Sequence, residues 1–479
     1  MQRINQPTMP IAPARVRAYT LSTALGQGCN HHIQALTDMR PGLRASTMNE
    51  APVPAWVGIV DALDDTHLPA ELAEFDCRNN RLAELALAGD GFLAKILAAR
   101  DAWGPTRIGL FLGTSTSGIR HTEQCYQRHF EQGTPGLGDD LRFDSTHAYV
   151  SLADYCRRRL GLRGPACVIS TACSSGAKTF AAAHRALTAG LCDAAMVGGV
   201  DTLCLTTIMG FHALGLLSPQ PCTPWGQGRA GISVGEGAAF ALLELTGADE
   251  DLALLGYGES TDAYHITSPH PDGIGAELAM RSALASAGLT AGEIDYINLH
   301  GTGTPANDLS EDRAVTAVFG AAPIASATKG WTGHTLGASG AVEAVLSLLC
   351  LQHGLLPGTL NTTTLDPALS VRPIRHSRRQ PIMRALSNSF GFAGNNCALM
   401  FGRICCVSRC ARSGSSGRGS PTGPALAPCC VASDPMSPRQ SRRGHCSDCL
   451  PTRPAARLSP PGSHWMRPAR QRRTLTAPD

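Results

Sequence analysis

The sequence predicts an α/β protein with parallel strand pairing and an internal duplication, on three observations. Short apolar β-like runs alternate with helical patterns from about Arg15 to Arg403, as βαβ units do. Two passages, 165–190 and 323–354, repeat one plan of strand, glycine-punctuated turn and helix. The chain has 479 residues, 43% of them hydrophobic, enough for two or three ordinary domains or one large two-lobed unit.

Taken in order, the strands read at 108–112, 167–171, 194–200, 240–244, 296–300 and 397–401. In the first repeated passage a buried strand ends at a Thr-Ala-Cys-Ser-Ser-Gly turn and passes into an Ala-rich helix that stops at Gly190. In the second, a short strand meets a glycine-rich turn, then a helix ending at Gly354. That helix carries Val342, Val345, Leu346 and Leu349 at i, i+3, i+4, i+7 spacing, which predicts one buried face. Each half then delivers a loop to a central site.

Composition breaks sharply near Arg403. Residues 404–479 hold 12 Arg, no Lys and three acids, a net +9 that leaves residues 1–403 at −6. The basic balance belongs to the tail, so no nucleic-acid partner is inferred from it. Its 11 prolines, Arg-Ser-Gly-Pro bias and missing periodicity predict disorder, or out-of-frame translation of GC-rich coding sequence. Seven of 18 cysteines lie there; Cys446-x-x-Cys449, with only irregular pairs beside it, is a weak zinc signal, and no metal is expected. The other 11 are scattered without regular spacing, as in a reducing cytosol. There is no signal-like N-terminus and no apolar run of 18 residues, so the expectation is a soluble, cytoplasmic protein without a membrane span.

Cys173 stands where a strand turns into a helix, where unpaired amides favour thiolate. Its neighbours Ala172, Ser174, Ser175 and Gly176 leave room for a sharp turn and a thioester-sized substrate. Alone it reads as readily as a buried structural thiol. His300 ends a strand and opens His-Gly-Thr-Gly-Thr-Pro, a turn without the Lys or spacing of a phosphate loop. Lys329 and His334 lie five residues apart in one turn before a helix, and 387–396 reads as a flexible glycine-rich loop with Phe390 and Phe392.

The set is stronger than its parts. TACSSG, TDAYHITSP (261–269), HGTGTPxxD (300–308), KxxTGHxLGAxGAVEA (329–344) and SNSFGFxGxN, in this order, resemble the elongating β-ketoacyl-acyl-carrier-protein synthases of the thiolase-like superfamily. The resemblance implies a duplicated five-layered α/β/α/β/α fold, with a nucleophile half at 15–256, a histidine half at 257–403 and the tail beyond. It implies a cofactor-free acyltransferase in which Cys173 accepts an acyl group from a carrier protein and a malonyl thioester is decarboxylated. His300 and His334 would donate Nε2–H to the enolate oxygen, and Lys329, paired with Glu311, would support them. The amides of Cys173 and Phe392 would form the oxyanion hole, Phe392 would gate the acyl chain, and Thr302 and Thr304 would bind pantetheine. Phe390 would line the substrate site and Asp308 support it.

Two histidines mark the elongating rather than the initiating class, and Cys173 is absent from non-catalytic chain-length-factor partners. Cys397, near the place of the degradative thiolases' second cysteine, reads as core. Departures are Ala393 where glycine is usual and Gly226 and Ala230 where aspartates are usual; with the tail, they leave a catalytically weak partner subunit as the alternative. Trp331 and Asn395-Asn396 resemble an aryl-polyene subgroup. Acyl carrier protein and a dimer, with itself or a related subunit, are the expected partners.

Overall fold

The computed structural model describes residues 10–48, 53–133, 136–138, 141–245 and 251–404. The tail beyond Ile404, with its expected disorder and its cysteines, lies outside the described residues.

The first half places β1 (Ala14–Thr23), α1 (Arg78–Leu87), β2 (Ile108–Gly113), α2 (Val150–Leu160), β3 (Ala166–Ile169), α3 (Ser175–Thr188), β4 (Ala194–Asp201) and β5 (Gly237–Glu244). The second places β6 (Leu252–Thr261), α4 (Ile274–Ala287), β7 (Tyr296–Leu299), α5 (Pro305–Phe319), β8 (Ala325–Ala327), α6 (Ser339–His353), β9 (Arg384–Gly391) and β10 (Asn395–Arg403). All six strands read from the sequence are present. The strand opening the second half begins at Leu252, a few residues before the expected division at 256.

Both halves weave their five strands alike. The order is β3-β2-β4-β5-β1 in the first and β8-β7-β9-β10-β6 in the second. In each, the second strand pairs parallel with the third and fourth, and the fifth pairs antiparallel with the fourth and first. The halves join through a short antiparallel contact, Ala14 and Arg15 against Leu254 and Ala253, which makes one continuous sheet.

Helices fill three layers around the half-sheets. Leu82 and Ala83 of α1 and Leu152 and Tyr155 of α2 pack on Leu110, Met196 and Phe240 outside the first half. Ala279, Met280 and Ala283 of α4 with Ala314 and Val315 of α5 cover Ile297, Leu386 and Met400 outside the second. Between the half-sheets lie α3 and α6, with Phe180, Ala183, Leu348 and Leu351 among strand residues of both halves. This is the expected five-layered arrangement.

The single buried face predicted for α6 is wrong in extent: residues 339–351 are buried on every side. A central-layer helix has a sheet above and below it, so an amphipathic stripe is replaced by all-round burial. Among the described residues, one stretch, Leu336–His353, is long and apolar enough to cross a membrane, and 89% of it is buried inside the protein.

The central helices cross through glycine. A Cβ on Gly176 would lie 2.8 Å from the Ala341 nitrogen, and one on Gly340 would lie 2.6 Å from the Ala177 nitrogen. Gly340→Val is therefore expected to lower stability by roughly 1–3 kcal/mol or more through overpacking, read as a drop in Tm.

Candidate active site

The turns that carry Cys173, His300, Lys329 and Phe392 each leave the carboxyl end of a strand with a parallel neighbour, where open α/β sheets place their sites. After β3 the chain turns abruptly. Ala172 takes φ +52°, a left-handed conformation costing an L-residue about 1–2 kcal/mol. Two hydroxyls clamp the turn: Ser174 Oγ donates to Thr171 O (2.9 Å), and Ser175 Oγ donates to Ala172 O while accepting from Thr171 N–H (2.8 Å). Cys173 thus sits just ahead of α3, buried. Burial pushes its thiol up to about 11; Lys329 and the N–H groups of Phe392 and of Cys173 itself pull the other way. Gly391 permits that approach, since a Cβ there would lie 3.1 Å from the Cys173 nitrogen.

His300 leaves the end of β7. Glu311 on α5 holds its backbone, accepting from His300 N–H (2.8 Å) and Gly301 N–H (2.9 Å). His334 follows the short helix Lys329–Thr332 and donates its N–H to Ser233 O (2.7 Å). The two rings stand nearly perpendicular, centroids 5.5 Å apart. Cys173 Sγ and a ring nitrogen of each histidine all lie within 4.8 Å of one another. The three residues singled out from the sequence therefore meet.

The ring environments fix their protons. Lys329 Nζ donates to His300 Nδ1 (3.1 Å), and Leu336 N–H donates to His334 Nδ1 (3.1 Å). A neutral imidazole accepting at Nδ1 carries its proton on Nε2. Burial, then Lys329, holds both rings well below the ordinary histidine range, and His334 adds to the effect on His300. The result is two neutral Nε2–H donors beside a sulfur. One sulfur and two imidazoles could also hold a soft metal ion. Metal-bound histidines, however, give their other N–H to an acceptor, whereas here both Nδ1 atoms face donors; the set suits a developing negative charge better than a cation.

The expected Lys329–Glu311 pair is not formed. Lys329 Nζ is 2.6 Å from Glu343 Oε1 on α6, and its other bonds go to the His300 carbonyl and Nδ1. Glu311 is instead used up by two backbone N–H groups and Asn388 Nδ2, and burial raises its carboxyl to about 7. Glu343 lies inside the quoted GAVEA motif without having been assigned a role. The available signal was a lone acid in an apolar helix, which cannot be buried without a partner.

A cavity of about 80 Å³ opens onto the three groups, lined also by Thr302, Thr304, Phe390, Phe392, Phe211 and the loop Thr267, Ser268, Pro269. Thr302 and Thr304 hydroxyls lie 2.9 Å apart, and Thr304 also caps α5 by accepting from Asn307 N–H. Phe390 stands edge-on to His300 at 5.9 Å, while Phe392 is half-buried and edge-on to Phe211, which sequence reading missed. Asp308 faces away from this cavity; it accepts Trp225 N–H and Gly303 N–H. Cys397 is buried in the core of β10.

Other expectations need correction. Residues 387–396 form no loose loop: β9 and β10 pair antiparallel from Arg384↔Gly402 to Gly391↔Asn395 around the turn Phe392–Gly394. Alternation of side chains between two packed faces was hidden by the small residues. Salt bridges near 224–231 survive the missing aspartates, because Arg229 reaches Asp366 (2.5 Å) and Asp308 (3.7 Å). Trp331 is core, donating Nε1–H to Gly358 O. Ala393 takes φ +59°, so the residue in the glycine position adopts a glycine conformation.

Because the Cys173 thiol is raised toward about 11, its alkylation by iodoacetamide is expected to climb about tenfold per pH unit from neutrality upward, following the thiolate fraction. Peptide mass mapping reads this; a plateau near neutral pH would contradict it. Ala393→Gly should raise stability by about 1 kcal/mol by releasing left-handed strain, measured by denaturant unfolding.

Comparison with known proteins agrees with this geometry. Residues 82–248 match the Beta-ketoacyl synthase, N-terminal domain, and residues 253–363 the Beta-ketoacyl synthase, C-terminal domain. The chain is 33% identical over 426 residues to the mitochondrial 3-oxoacyl-[acyl-carrier-protein] synthase of Arabidopsis thaliana, covering 80% of this chain and 91% of that protein. It is 36% identical over 317 residues to 3-oxoacyl-[acyl-carrier-protein] synthase 2 of Vibrio cholerae, covering 62% and 76%. Among solved structures, the ketosynthase ApeO of Xenorhabdus doucetiae, in complex with its chain length factor ApeC, superposes with a TM-score of 0.76 at 37% identity, covering 82% of this chain and 98% of that one. The ishigamide ketosynthase/chain length factor gives 0.73 at 28% identity, covering 82% and 99%. With its duplicated sheet and a cysteine and two histidines around one cavity, the chain belongs to the β-ketoacyl-acyl-carrier-protein synthases, a family of acyltransferases.

Proposed function

We propose that this enzyme condenses an acyl group held on Cys173 with a malonyl group held on acyl carrier protein. In the first half-reaction Cys173 Sγ bonds to the acyl carbonyl carbon, the carrier's C–S bond breaks, and the thiol proton ends on the departing pantetheine sulfur. The N–H groups of Cys173 and Phe392 receive the transient oxyanion. In the second, the bond between malonyl carbon and carboxylate breaks, CO2 leaves, and the electron pair moves into an enolate. Its oxygen accepts the Nε2–H bonds of His300 and His334. The enolate carbon then attacks the acyl carbonyl, a carbon–carbon bond forms, and the Cys173 thiolate departs and takes a proton from solvent. Lys329 and Glu311 orient His300; Thr302 and Thr304 hold the pantetheine arm; Phe390 walls the site and Phe392 gates it.

The observation carrying this reading is a ring nitrogen of each histidine within 4.8 Å of a buried cysteine, with both Nδ1 atoms facing donors so that the protons stand on Nε2. Such donors act strongly where water is excluded. A catalytically weak partner subunit is disfavoured, since the nucleophile and both donors are intact. Similarity to ApeO, solved with its chain length factor, supports a catalytic subunit that works beside a related chain or a second copy. The sheet ends at β3, whose Ala166 and Cys167 are exposed, an apolar edge suited to pairing with another chain. Trp331 and Asn395-Asn396 favour the aryl-polyene branch, acting with cytoplasmic carrier proteins.

Incubation with acyl-carrier protein is expected to leave an acyl adduct on the intact protein, lost in Cys173→Ala and seen by mass spectrometry. No adduct on the intact protein would return the partner-subunit reading. His300→Ala or His334→Ala should slow CO2 release from malonyl-carrier protein roughly 10²–10³-fold, with adduct formation largely kept.

A further inference from the structure

Asp201, the last residue of β4, is fully buried and has no role in the chemistry described above. Its carboxylate gathers an unusual number of donors. Oδ1 accepts from Thr114 Oγ1 (2.8 Å), Thr116 N–H (2.7 Å), Thr116 Oγ1 (2.6 Å) and Ser115 N–H (2.9 Å). Oδ2 accepts from Ser115 Oγ (3.0 Å) and Ala338 N–H (3.0 Å). Ser115 Oγ in turn accepts from Gly337 N–H (3.1 Å). Gly337 must be glycine here, because a Cβ would lie 2.7 Å from Asp201 Oδ2.

Gly337 and Ala338 directly follow Leu336, a leucine at φ +53°. That conformation is costly for a side chain this size and persists only where surroundings enforce it. It also aims Leu336 N–H at His334 Nδ1, the bond that places the His334 proton on Nε2. We propose that Asp201 is a positioning residue: by holding Gly337 and Ala338 from the first half of the fold, it keeps Leu336 left-handed and thereby sets the tautomer of His334. The carboxylate suits the task because it only accepts, and all its neighbours donate. Asparagine would have the same shape but would turn an N–H₂ toward donors.

The inference rests on the reading that His334 donates to the enolate, and the test separates the two. In Asp201→Asn, CO2 release from malonyl-carrier protein should fall roughly 100-fold while acyl-adduct formation on Cys173 stays within roughly threefold, as expected for a small misplacement of one group. The ¹⁵N shifts of the His334 ring should move from an Nε2–H pattern toward a mixture. Parallel loss in both half-reactions, or unchanged ¹⁵N shifts, overturns the proposal. Should the asparagine variant not fold, Ser115→Ala removes the hydroxyl's bond to Asp201 and with it the bridge to Gly337, leaving the Asp201 bond to Ala338; there, a smaller selective loss of CO2 release with the same direction of ¹⁵N change supports the proposal, and no change in either overturns it. If the unaltered protein forms no adduct and releases no CO2, the condensing reading fails, while the ring-nitrogen measurement still decides the role of Asp201.

Discussion

Lys329 brings an ammonium into an interior that excludes water, with 1% of its side chain exposed. Its three N–H bonds must all be met there, and they are met by Glu343, the His300 carbonyl and His300 Nδ1. An ammonium can only donate, so His300 Nδ1 must accept, and the imidazole has no choice but to present Nε2–H to the cavity. Removing either member of the Lys329–Glu343 pair would leave a buried charge uncompensated. The same ion pair ties the ends of β7 and β8 to the central helix α6, so the electrostatics of the site and the packing of the second half are one arrangement.

Strain gathers around this arrangement in a regular way. Ala172, Leu336 and Ala393 have φ of +52°, +53° and +59°, and they lie one, two and one residues from Cys173, His334 and Phe392 respectively. Left-handed residues survive when the surroundings over-determine them. The Ser174 and Ser175 hydroxyls do so for the first, the Asp201 network for the second, and for the third the Ala393 N–H bond to Ile266 O. Each corner of the site is thus a tight turn off a rigid strand end rather than a long loop, which suits chemistry that depends on donors already aimed before charge develops.

The paired strand orders explain how two distant parts of the chain reach one cavity. In each half the third strand runs into a helix of the central layer, β3 into α3 and β8, after the turn that carries Lys329 and His334, into α6. These helices meet at Gly176 and Gly340, so the turns preceding them, one with Cys173 and one with Lys329 and His334, are forced together. Much of this was legible in the sequence. The two passages with one plan pointed to the duplication, and strand positions followed from unbroken apolar runs. Less legible was α6, whose Val342, Val345, Leu346 and Leu349 stripe resembles an ordinary amphipathic helix although Ala344, Leu348, Cys350 and Leu351 bury a second side against the other core cluster. The Phe390–Phe392 hairpin was also hidden, since Ser, Asn and Gly reveal little alternation.

Residue types and their order by themselves determined the fold class and singled out the cysteine and the two imidazoles that meet at one cavity, because each motif stands at a strand end and few side chains suit such a cluster. Which carboxylate meets Lys329 was left to the tertiary structure. Glu311 and Glu343 both lie on helices within reach along the chain, and the choice fell to Glu343 because α5 turns Glu311 toward the unpaired amides of His300 and Gly301. The histidine tautomers and the involvement of Asp201 were decided there as well. They depend on which donors lie a few ångströms away across strands far apart in sequence, and only the packing of both halves against one central layer brings those donors into place.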